Sequence, residues 1–329
     1  MRLLEQTFTF TNDAQKEVFV YQWSPMEMAG VPQDMVQGEL DVLQSRPQGE
    51  LQGVLQIAHG MAETAKRYER LAEMLTARGW IVFAGDHRGH GKTAGTDAEL
   101  GCIEKDGFDG MVRDMSTLSG IIRNRYPDLP LFLLGHSMGS FLTQKMMYTA
   151  PDPYSGFILS GTNGPRGMIG FGEKLARLQC LVQGERHPSL MLNALVFGSY
   201  NKRFLPPRTP FDWLSRDEAE VDKYVNDPHC GFLCSAGFFQ GFFSLLQEIH
   251  RPKRMRAIPK DKPIYIFGGD EDPVGLRGDG VKKLATLYNL LLIRDVELKL
   301  YPGGRHEMLN EINREEVMRD LADWLERHK

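Results

Sequence analysis

The run Leu131-Phe132-Leu133-Leu134, leading into Gly135-His136-Ser137-Met138-Gly139, constrains this chain more than any other stretch. It reads as an apolar strand from Leu131 to Leu134, then Gly-x-Ser-x-Gly, then a helix beginning near Met138. Such a junction places Ser137 at the tip of a sharp strand-to-helix turn, in strained backbone, with its hydroxyl exposed. Gly135 and Gly139 carry no Cβ, so the strand end and the helix start can pass close together. The Met138 amide, at a helix N-terminus, then points to where negative charge on an oxygen would form. The pentapeptide is short and common, so its weight depends on the rest of the chain.

That context is a strand–helix alternation. Val54 to Ala58 reads as a buried strand, followed by a helix with Tyr68, Leu71, Ala72 and Leu75 on one face and closed by Gly79. Trp80 to Ala84 is the next strand. A glycine-rich loop, Asp86-His87-Arg88-Gly89-His90-Gly91, precedes a long amphipathic helix through Phe108, Met111, Met115, Leu118 and Ile122. Arg88 and His90 are expected to tie down that loop; no Gly-Lys-Ser/Thr phosphate loop is present. After the Ser137 helix come strands at Phe157 to Leu159, Pro263 to Phe267 and Val296 to Leu300, and helices at Val281 to Leu291 and near the C-terminus. The last helix opens on Asn313-x-x-Glu316, a capping-box pattern. This alternation predicts an α/β fold with a mostly parallel sheet covered on both faces. An N-terminal hairpin, Thr7 to Phe10 and Val18 to Tyr21, flanks Asn12-Asp13.

Two segments break the rhythm. Residues 26–53 are polar, with Gly, Pro and Gln, and read as a surface insertion. Residues 162–252 are helix-like and apolar, with Leu190 to Phe197, Phe238-Phe239 and Phe242-Phe243, and read as a helical cap. An insertion at that point sits over the C-terminal edge of the strands, where ligands bind in open α/β sheets. Most of its phenylalanines are expected to form its own core and a few to face a pocket. The expected organisation is a core of 1–161 and 253–329, interrupted by the cap.

Composition narrows the function classes. With 39 basic and 43 acidic residues the net charge is −4, which leaves no electrostatic footprint for nucleic acid. The basic stretch His250 to Arg256 is expected to be a solvated loop. Glu5 interrupts the N-terminus too early for a signal peptide's apolar segment, and no apolar run is long enough to span a bilayer. The four cysteines, Cys102, Cys180, Cys230 and Cys234, lack disulfide-framework spacing. His229-Cys230 with Cys234 lacks an evident fourth metal ligand, and the cysteines are expected to be buried in helices. No metal or organic cofactor is expected, and a reducing cytoplasm is the expected location. Nothing in the sequence addresses oligomeric state.

A serine hydroxyl needs a base to take its proton, and the base needs an acid to hold its tautomer. In strand–turn–helix sites of this type the order is nucleophile, acid, base. Of nine histidines, two follow the last strand: His328, at the fraying terminus, and His306, in the turn Tyr301-Pro302-Gly303-Gly304-Arg305-His306-Glu307, which is the candidate base. Asp270, Glu271 and Asp272 all follow the strand Ile264 to Phe267; Asp272, fixed by Pro273, is favoured and Asp270 is the alternative. A second oxyanion donor is expected just after Ala58, at Met61, beside the Met138 amide. His59 is expected to be a structural hydrogen-bonder.

Five blocks in this order carry a resemblance: His59-Gly60-Met61-Ala62-Glu63 with Arg67-Tyr68; Asp86 to Gly91; Gly135 to Gly139; Asp270-Glu271-Asp272-Pro273-Val274-Gly275; and Arg305-His306-Glu307. From about Gly53 to the C-terminus the chain resembles the monoacylglycerol lipase / lysophospholipase branch of the α/β-hydrolase superfamily, bacterial members in particular. The resemblance implies an eight-stranded sheet, a helical cap and a catalytic triad that falls on Ser137, Asp272 and His306, with oxyanion amides on Met61 and Met138. Thr64-Ala65-Lys66 departs from the family's usual small polar stretch, and 26–53 has no counterpart in it.

The implied activity is a serine carboxylester hydrolase acting on a small lipid or ester, such as a monoacylglycerol or lysophospholipid. Alternatives are a short-chain esterase, a proline-type aminopeptidase holding its substrate amine with Glu218, Glu220 or Asp222, and a non-catalytic binding protein on the same fold. The apolar cap is a candidate for transient contact with a membrane surface.

Overall fold

The computed structural model describes residues 3–25, 51–104, 106–167 and 169–329. The expected 26–53 insertion lies outside the described residues except for its last three. Eight strands form one sheet: β1 (Leu3–Thr11), β2 (Glu17–Pro25), β3 (Gly53–Ala58), β4 (Trp80–Gly85), β5 (Leu131–His136), β6 (Gly156–Ser160), β7 (Ile264–Gly269) and β8 (Val296–Tyr301). Their order is β1-β2-β4-β3-β5-β6-β7-β8. The N-terminal hairpin pairs antiparallel and joins β4 antiparallel, while every other pairing is parallel. This is the α/β-hydrolase architecture.

The central strands are apolar on both faces because both are covered. Leu131 and Leu133 point with Val54 and Ile81 toward α2 (Gly107–Arg125) and α3 (Met138–Thr149), and α9 (Asp279–Leu290) covers the same face. Phe132 and Leu134 point with Leu55 and Val82 toward α1 (Glu69–Thr76) and α10 (Arg314–His328), where Trp324 is fully buried. The expected capping box at α10 does not form. The Asn313 amide donates to the Glu316 carboxylate at 3.0 Å and its oxygen accepts from Arg216, so the two side chains satisfy each other instead of the helix's backbone. Arg88 reaches beyond its own loop, to Asp114 on α2 at 2.7 Å and to Asp13 of the hairpin turn.

Between β6 and β7 the chain leaves the sheet and forms α4 (Ile169–Gln183), α5 (Leu190–Phe197), α6 (Glu218–Asn226), α7 (Ala236–Ile249) and α8 (Pro252–Arg256). The stretch expected to be a basic loop is therefore partly the short helix α8, begun by Pro252 at its first position. Cys230 and Cys234 are buried as expected but lie in the α6–α7 connection and not in a helix; all four cysteines are free. Helix α7 is the segment's base, with Phe238 packed edge-on to Phe108 of α2 at 5.1 Å. The segment's two halves attach differently. Residues 205–234 hydrogen-bond to the loops after β3 and β8, as detailed below. Residues 169–198 rest mainly on α7, through Glu173 accepting from Ser244 and Gln247, and reach the core through Arg186 and Glu99 at 2.7 Å.

The junction of β5 and α3 is as close as its glycines suggest. A Cβ on Gly139 would enter the carbonyls of Ala58 and His59, and one on Gly135 would enter Gly139's own carbonyl. Gly139→Ala is expected to cost about 1–3 kcal/mol by overpacking, read as a lowered urea midpoint at unchanged slope; an unchanged midpoint would contradict this packing.

Candidate active site

Ser137 stands between β5 and α3 with φ 52° and ψ −119°, a strained conformation for a residue with a side chain. Its own amide donates to the Ser160 carbonyl at 2.9 Å, and its carbonyl accepts from Ser140 Oγ at 2.6 Å, so the turn is fixed on both sides. The side chain faces a cavity of about 790 Å³ between the sheet's C-terminal edge and the helical segment above it. Met61, Met138 and His306 line the same cavity. The Met61 and Met138 amides take no other hydrogen-bond partner among the described residues.

Asp272 and His306 come together across 34 residues of chain: His306 Nδ1 lies 3.0 Å from Asp272 Oδ1, and both side chains are almost fully buried. The same carboxylate oxygen accepts from the Val274 amide at 2.8 Å. Asp270 instead accepts from the Gly303 amide at 2.6 Å, bracing the turn after β8. The His306 ring lies between Trp213, at 4.9 Å, and His136, at 4.8 Å. Burial opposes charge on the His306 ring, but the Asp272 carboxylate outweighs it and holds the pKa above the ordinary histidine value. Burial, aided by the neighbouring His306, pushes His136 down to about 4, so it stays neutral.

The loop after β3 is built by hydrogen bonds the sequence only hinted at. His59 Nδ1 donates to the Gly60 carbonyl at 2.8 Å and its Nε2 accepts from the His87 amide at 2.9 Å, the structural role expected of it. Burial lowers its pKa to about 4. Glu63 accepts from the Gly60 amide at 2.5 Å and from Tyr68 at 3.0 Å, and pairs with Arg67 at 2.5 Å. Arg67 in turn makes two parallel bonds of 2.7 Å to Glu307, the residue after His306. One guanidinium thus joins the loop carrying Met61 to the loop carrying His306. Burial raises the Glu307 pKa, yet the Arg67 charge prevails and brings it to about 2.

Residues 205–234 close the other side. The His306 amide donates to Trp213 at 3.4 Å, Glu307 to Leu214 at 2.8 Å, and Arg216 pairs with buried Glu311 at 2.9 Å. Phe242 and Phe243 line the cavity and Phe238 and Phe239 are buried, dividing the phenylalanines between pocket and core. Of the carboxylates offered for a substrate amine, Glu220 is buried against Arg70 at 2.7 Å and Asp222 pairs with Arg208 at 2.5 Å. None of Glu218, Glu220 and Asp222 lines the cavity. Among the described residues no His, Cys, Asp and Glu cluster is arranged to hold a metal.

The chain is similar to known proteins in sequence and in fold. Residues 49–313 match the hydrolase family described as "Serine aminopeptidase, S33". The chain belongs to that family. It is 32% identical over 286 residues to a monoacylglycerol lipase of Mycolicibacterium smegmatis, covering 86% of this chain and 91% of that protein. It is 30% identical to the monoglyceride lipase of Homo sapiens over 272 residues, 81% of this chain and 79% of that one. In three dimensions it is similar to a thermostable carboxyl esterase from Bacillus coagulans in complex with glycerol, with TM-score 0.85, 28% identity and coverage of 100% and 99% of the two chains.

Because Glu307 ionises far more readily folded than free, its contribution to stability is present above its ordinary value of 4.5 and is lost as pH falls toward about 2. Glu307→Gln is expected to lower stability at pH 7 by about 2 kcal/mol and to flatten the acid limb, measured by urea midpoints from pH 7 to 3. A variant with the wild-type acid limb would show that the Arg67 pairing does not carry it.

Proposed function

We propose that the chain is a serine carboxylester hydrolase of monoacyl lipids, working through an acyl-enzyme on Ser137. His306 takes the Ser137 proton as the hydroxyl attacks the ester carbonyl, and the Met61 and Met138 amides hold the resulting oxyanion. His306 then protonates the departing glycerol or other alcohol. Water repeats the cycle on the acyl-enzyme, while Asp272 keeps the ring oriented and stabilises its charged form. The observation that carries this reading is the Asp272–His306 pair, whose imidazole opens together with Ser137 into one large apolar cavity. Support for the lipid comes from lining side chains such as Phe141, Leu195, Val196, Phe197, Phe242 and Leu246, and from the relatives' activities.

An aminopeptidase would need a free carboxylate for the substrate amine. Among the described residues the two that line the cavity, Glu63 and Glu307, are both engaged by Arg67. The test is fluorophosphonate labelling of wild type and Ser137→Ala, followed by a p-nitrophenyl ester series beside proline anilides. Labelling that disappears with the hydroxyl, and a preference for octanoate over acetate, are expected; preference for acetate or for the anilide overturns the lipid assignment. Since the neutral ring is the base, kcat/KM should rise through a pKa above 6.5, and Asp272→Asn should move that limb to lower pH.

Residues 162–252 act as the cap in this reading. Exposed apolar side chains gather on its first half, among them Leu181, Val182 and Leu190, with Phe171, Leu190 and Leu195 also lining the cavity. That half contacts a lipid surface transiently as substrate enters. Among the described residues no helix is long and apolar enough to cross a membrane. Co-sedimentation with phosphatidylcholine vesicles, weakened in Leu181→Asp, tests the contact; equal sedimentation of both proteins overturns it. The four free cysteines support a cytoplasmic location.

A further inference from the structure

Met61 sits in a turn whose next residue, Ala62, holds φ 53°, a conformation that residues with side chains rarely adopt. Such a turn persists only where its surroundings hold it. On the core side the hold is Glu63, which accepts from the Gly60 amide. On the other side it comes entirely from residues above the sheet: the Ala62 carbonyl accepts from Tyr224 Oη at 2.9 Å and from the Gly231 amide at 2.9 Å. The Met61 amide lies between these two anchors. Tyr224 is buried on α6, its ring against Phe211 at 5.0 Å and beneath the Arg67 guanidinium at 4.9 Å. Burial keeps its phenol protonated, so the oxygen remains a donor.

We propose that Tyr224 is a positioning residue for ester hydrolysis: by bonding the Ala62 carbonyl it aims the Met61 amide at the developing oxyanion, so that the seated cap is a working part of the oxyanion hole. The inference rests on the reading of Met61 as an oxyanion donor. Loss of the bond lets the strained turn relax about Ala62, and the peptide ahead of it swings away from the reacting oxygen. Substrate is held chiefly by the apolar walls, so the effect falls on the transition state.

Tyr224→Phe removes one oxygen and keeps the ring against Arg67 and Phe211. Competent sites are counted by the endpoint of fluorophosphonate titration, so that a partly unfolded preparation does not lower the measured kcat. On a p-nitrophenyl octanoate assay the variant should lose about ten- to a hundredfold in kcat, with KM within about threefold of wild type. Its affinity for an alkyl trifluoromethyl ketone, whose adduct puts an oxyanion in the hole, should fall by the same factor as kcat/KM. The pH at which activity rises should not move, because the Asp272–His306 pair is untouched. Lys223→Ala, exposed on the same helix, should match wild type. A kcat within twofold of wild type, or a fall in kcat with ketone affinity unchanged, overturns the inference while leaving the hydrolase reading standing. A wild type that refuses the probe removes both.

Discussion

The site depends first on how closely two backbones approach. The Gly139 α-carbon lies against the carbonyls of Ala58 and His59, with no room for a methyl group between. That contact sets the start of α3 against the end of β3, and so brings the Met138 amide and the loop carrying Met61 to the same corner of the sheet. Ser137 is held in its strained conformation at the same crossing. The strain is sustained by buried hydrogen bonds on either side and by a sheet whose strands are covered on both faces. A like approach recurs at the end of β7, where a Cβ on Gly269 would enter the Gly304 carbonyl.

Charge is the second theme. Glu63, Arg67 and Glu307 are nearly removed from water, where an unpaired charge is heavily penalised. Bidentate geometry and a shared guanidinium make the cluster tolerable, and its rigidity ties two loops that are far apart in sequence. The buried histidines His59 and His136 remain neutral beside it, because burial depresses both. Only His306, facing Asp272, is pushed the other way.

Much of the fold could be read from the residues because its signals are local. Apolar runs with glycine at their ends marked β3, β5 and β7, and helical spacing marked α1 and α2. The parallel pairings from β3 to β8 agree with that reading; Asp272 and His306 lie within hydrogen-bonding distance of each other, and Asp270 braces a turn. What the residues could not announce was long-range. Arg67 and Glu63 are four apart and invited notice, but Glu307 lies 240 positions away from Arg67. Tyr224 reads as an ordinary helix aromatic until its hydroxyl is seen against Ala62. Asn313 and Glu316 had the spacing of a cap, yet Arg216 drew the Asn313 oxygen elsewhere. In each case the deciding partner came from the tertiary structure.

The unequal attachment of the helical segment has a consequence for how such a chain can change. Residues 205–234 are fastened to the loops bearing Met61 and His306, so on the proposed mechanism alterations there disturb the chemistry itself. Residues 169–198 rest mainly on α7 and supply much of the outer wall of the cavity. The first half is therefore free to diverge, or to be exchanged for another sequence, with the reaction machinery intact. Selectivity and turnover become separable traits, carried by adjoining stretches of a single insertion.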